Sequence, residues 1–108
     1  MTMTSDTPRY LIRVTRHYYA GAIAPPRVTY AGRLSAVHGY GYGVPLLPFD
    51  SLDAARDAVA ELDAQQYLLG SGEHSRPTYR AVPLARCPEY VRDRAAAAEA
   101  LMRTGGAA

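Results

Sequence analysis

Alternation with a period of two is clearest in RYLIRVTRHYY, residues 9–19. Tyr10, Ile12, Val14 and Tyr18 share one side of an extended chain, interrupted by Arg16, while Arg13, Thr15, His17 and Tyr19 share the other. Apolar β-branched and aromatic residues at this spacing predict a strand. RVTYAGRL (27–34) predicts a second strand, antiparallel to the first, with Gly32 as a bulge or bend. Pro25-Pro26 rule out a tight ladder in the connection between them. SAVHGYGYGV (35–44) predicts a third, weaker strand.

The period then becomes helical. Asp50 and Ser51 are both suitable N-caps, and Leu52, Ala55, Val59 and Leu62 follow at helical spacing, with Asp53, Arg56, Asp57 and Glu61 around the rest of the cylinder. QQYLL (65–69) and TYRAV (78–82) predict two further strands, joined by the turn-rich GSGEHSRP. CPEYVRDRAAAAEALMRTGG (87–106) predicts a second helix with Pro88 near its first turn and Gly105-Gly106 at its end. Its stripe is narrow: Val91, Ala95, Ala98 and Met102. Residues 1–8 are expected to form a flexible arm, 9–104 one domain and 105–108 a short flexible tail. The expected fold class is α+β, an antiparallel sheet of four to five strands with two helices packed on one face.

Composition limits the class. A chain of 108 residues, 48% hydrophobic, can close one core without staples, burying roughly 60–70% of its unfolded surface. Cys87 is the single cysteine, so no internal disulfide forms and a reducing compartment is the simpler assumption. MTMTSDTPR has no cationic start followed by an apolar run, and no apolar stretch approaches the ~20 residues of a membrane span. A cytoplasmic protein with no membrane association is expected. Net charge is only +2, unevenly spread: residues 1–49 carry five arginines against one acid, and residues 50–108 seven against nine. Every basic side chain is arginine, whose fork makes bidentate contacts to carboxylate or phosphate and stacks on rings.

Candidate chemistry is sparse. HGYGYGVPLLPFD (38–50) suggests a phosphate-cradling loop, but the glycines do not open into a helix, Pro45 and Pro48 lack N–H groups, and no lysine follows. An extended segment with Tyr40 and Tyr42 standing on one face fits better. His17, His38 and His74 lie in separate segments without a close ligand pair, so no metal and no cofactor is expected. Ser71, Ser75 and His74 could be arranged as a hydrolase, and Cys87 as a nucleophile, but turn and capping chemistry explains the same residues. The chain is read as non-enzymatic. Nine tyrosines against one phenylalanine and no tryptophan, together with the arginines, point to a binding surface. Arg13, His17 and Tyr19 lie side by side on the first strand, and Arg33, Tyr40 and Tyr42, with Tyr30, are expected to continue that face across the sheet. These six, Arg13, His17, Tyr19, Arg33, Tyr40 and Tyr42, are the expected binding residues. A protein partner is ranked first, and a small RNA- or DNA-binding domain using the same Arg/Tyr face is the alternative.

The run YLLGSGEHSRPTYRAV (67–82) and the order strand, strand, helix, strand, strand resemble small single-domain proteins of bacterial phages and conjugative elements. Anti-CRISPR proteins, which bind and disable CRISPR effector complexes, belong to that pool. The resemblance covers residues 9–84 and carries over no functional residue. It implies a bacterial protein or ribonucleoprotein as partner, blocked sterically. Because the chain is mildly basic, occlusion of a protein surface or guide-binding site fits better than imitation of DNA. A homodimer through a glycine-flat edge or the alanine face of the last helix is left open.

Overall fold

A computed structural model of the chain describes residues 8–18, 25–34, 44–69 and 75–107. Residues 1–7 of the expected arm (1–8) and 35–43 of the weak third strand (35–44) lie outside these. The described elements run β1 (Tyr10–Tyr18), β2 (Arg27–Ala31), α1 (Leu52–Leu69), β3 (Ser75–Pro83), a single 3-10 turn (Leu84–Arg86) and α2 (Glu89–Ala107). The class is α+β. The sheet of the described residues has three antiparallel strands in the order β2-β1-β3, not four to five. QQYLL, expected as a strand, is the last part of α1. Glutamine and leucine are good helix formers, and no breaker interrupts the helical period before Gly70. Ser51 is the cap that is used: its Oγ accepts from the Ala54 N–H at 3.1 Å. At the far end, α2 runs through Gly105 and Gly106 to Ala107 instead of stopping before them.

The two helices lie on opposite faces of the sheet, which corrects the expectation that they share one. Ile12 and Val14 of β1 pack with Ala55 and Leu62 of α1, together with Ala31 and Phe49. Tyr10 and Tyr79 lean on this cluster, half-buried. Leu11, which points the other way, packs with Leu46, Cys87 and Val91, the last on α2. The cause is the local sequence Tyr10-Leu11-Ile12. Three consecutive apolar residues in a strand place apolar surface on both faces, and each face then needs a cover. Along α2, Val91, Ala95 and Ala98 are buried, whereas Met102 is exposed. Arg9 forms an ion pair with Glu99.

Segment 44–49 takes over where β2 stops. The Tyr10 N–H donates to the Phe49 carbonyl at 3.0 Å, the Phe49 N–H donates back to Tyr10 at 2.7 Å, and the Arg33 N–H donates to the Leu47 carbonyl at 2.9 Å. Gly32 permits this approach. A Cβ there would stand 2.2 Å from the Leu47 oxygen and 2.8 Å from its nitrogen.

Candidate functional site

The register places side chains on the α2 face in rows across the sheet. Tyr30, Arg13 and Arg80 form one row, and Val28, Thr15 and Thr78 the next, with His17 beyond them on β1. Burial declines along these rows. Leu11 is fully buried under α2, Arg13 and Thr15 are half-buried, and His17, Thr78, Val28 and Arg80 are exposed. α2 therefore covers one end of the face and leaves the other open.

At the boundary lies a cleft of about 220 Å³, lined by Arg13, Tyr30, Arg80, Pro83, Arg86 and Cys87 among others. Arg13 and Tyr30 are paired across the β1–β2 ladder and both line this cleft. Burial, with the neighbouring Cys87, raises the Tyr30 phenol pKa, and this outweighs the opposing effect of Arg13. Burial also raises the Cys87 thiol pKa, although Arg13 and Arg92 pull it down. The thiol donates to the Pro83 carbonyl at 3.5 Å. Cys87 is thus held as a thiol at neutral pH, the unreactive form. Among the described residues no carboxylate forms an ion pair with Arg13, Arg80 or Arg86. Arg13 and Arg80 face each other directly, an arrangement that costs roughly 0.2–1 kcal/mol when nothing neutralises it.

The expected binding residues are partly brought together. Arg13 and His17 share the open face. The Thr78 hydroxyl donates to the Thr15 carbonyl at 3.3 Å, leaving its oxygen to accept from His17 Nε2 at 3.2 Å. Arg33 does not join them. It lines a groove of about 430 Å³ on the α1 side, with Phe49, Asp57 and Glu61. Three positions separate it from Tyr30, so even unbroken alternation sets Arg33 on the side of Ala31 and not on the Arg13 face. Tyr19, Tyr40 and Tyr42 lie outside the described residues, as do His38, Ser71 and His74. Sequence reading missed Arg80, Arg86 and Thr78. Arg80 and Thr78 already alternated with Val82 in TYRAV, but only the β1–β3 register shows which strand they face. Among the described residues no three His, Cys, Asp or Glu side chains are grouped to hold a metal ion, and no helix is long and apolar enough to cross a membrane.

Charge is sorted by element. The three strands hold Arg13, Arg16, Arg27, Arg76 and Arg80 and not one acidic residue. α1, on the opposite side, carries Asp53, Asp57, Glu61 and Asp63 against Arg56, all exposed. No family model, curated protein or solved structure matches the chain. The site is therefore read from its own chemistry.

Proposed function

We propose that this protein is a non-enzymatic binding module that lays the open half of its sheet on an anionic partner, a nucleic acid or a ribonucleoprotein, and acts by covering the surface it occupies. The observation that carries this is the arginine-lined open face, which has no carboxylate to neutralise it among the described residues. A protein interface is usually built around a desolvated apolar or aromatic centre. The open rows offer little of that: of their side chains, Val28 alone is a large, exposed hydrophobic. Guanidinium groups beside a tyrosine and threonine hydroxyls suit phosphates and bases instead. A nucleic acid, free or within a bacterial ribonucleoprotein, fits this face better than a bare protein surface.

The test is affinity capture of the tagged chain's partners from bacterial lysate, with and without nuclease. Capture lost on nuclease treatment is the expected result. A stoichiometric protein partner that survives nuclease would overturn it and assign the face to a protein surface, the arrangement of a steric inhibitor of an effector complex.

A further inference from the structure

We propose that the cleft formed by Arg13, Arg80, Arg86 and Tyr30 is a phosphate-binding site that grips the backbone of a single-stranded nucleic acid. This inference rests on the reading above and narrows it to one cleft and one ligand chemistry. Three arginines from different places in the chain, mid-β1, mid-β3 and the 3-10 turn, line the same cleft. Two of them oppose each other across the β1–β3 ladder without a carboxylate between them. A tetrahedral dianion or phosphodiester accepts several guanidinium N–H bonds at once and removes the repulsion that the cluster otherwise carries. Arg13 is half-buried beside its cross-strand neighbour Tyr30, so less freedom is lost when a ligand arrives.

A single strand is the occupant that fits the surroundings. Past the cleft the sheet continues as an open surface of Thr15, Val28, Thr78 and His17. Unpaired bases can lie on such a surface with their phosphate held at its edge. The acidic exterior of α1 lies on the other side of the sheet and repels the same backbone, which orients the encounter.

The experiment is fluorescence anisotropy of a labelled 12-nucleotide oligouridylate against the full chain, across a salt series, with polyglutamate as a competing polyanion. Arg80→Ala and Arg86→Ala are exposed substitutions that leave the fold in place, checked by an unchanged melting temperature. Each is expected to weaken binding about tenfold and to flatten the salt dependence by up to ~0.7 in log K per log salt. Arg56→Ala, a charge-matched change on α1, is expected to leave affinity unchanged. If the oligonucleotide binds the Arg80→Ala/Arg86→Ala double variant as tightly as the parent, the cleft assignment is wrong while the binding-module reading stands. Equal competition by polyglutamate would overturn the phosphate assignment. No oligonucleotide binding, together with a nuclease-resistant partner in lysate, would overturn both.

Discussion

Gly32 and Cys87 show how single positions set this architecture. At Gly32 the nearest neighbours of an added Cβ are backbone atoms of Leu47, the closest at 2.2 Å, and a backbone held by hydrogen bonds to Arg33 and Pro45 cannot step aside cheaply. Gly32→Ala is expected to destabilise the protein by about 3 kcal/mol or more, measured by urea denaturation; an unchanged midpoint would mean segment 44–49 is not docked there. Cys87 and Tyr30 make the protein sensitive to alkali. Both have folded pKa values raised above their ordinary 9.0 and 10.0. The unfolded chain therefore ionises first as pH rises, so their contribution is complete below pH 9 and declines above it. Thermal melts should show falling stability from pH 9 upward, and Cys87→Ala should remove the earlier part of that decline. A parent protein no less stable at pH 10 than at pH 8 would contradict these environments.

Elements were legible in the sequence where local chemistry alone decides them. The alternation in RYLIRVTRHYY marked β1, and the cap-plus-stripe at Ser51 to Leu62 marked α1. Ser51→Ala should cost about 1 kcal/mol, because the Ala54 N–H loses its acceptor; circular dichroism during urea titration would show it, and a change under 0.2 kcal/mol would shift the cap to Asp50. Elements were misread where two neighbouring signals competed. QQYLL is short and apolar at one end, so it suits a strand by itself, yet it continues a helix already nucleated upstream. The binding face was half legible for a related reason. Arg13 and His17 follow from the period of β1, but Arg80 joins them only through long-range pairing, and Arg86 only through the 3-10 turn that brings it back to the cleft. Arg33 was misplaced because its odd spacing from Tyr30 already sets it on the opposite face, the α1 side, where Ala31 packs.

At the scale of the whole molecule, the two faces of one small sheet are unequally covered. α1 seals its side with Ala55 and Leu62 and turns its acids outward, whereas α2 joins the Leu11 cluster through Val91 and buries, besides it, the alanines Ala95 and Ala98. Alanine offers little apolar area per turn, and the partly exposed Arg9–Glu99 ion pair contributes at most about 1 kcal/mol. α2 should therefore open more readily than the rest of the molecule. Cys87, buried against Leu11 and Val91, reports that opening, because its thiol reacts only when exposed. Val91→Ala removes two buried methyls, worth about 2 kcal/mol, and should speed thiol labelling at pH 8 about thirtyfold. Leu62→Ala weakens the α1 side by about 2–5 kcal/mol and should leave the labelling rate nearly unchanged if α2 opens on its own. Equal acceleration by both substitutions would mean that Cys87 is reached only through global unfolding, and that the helix bounding the arginine cleft is as firmly held as the core.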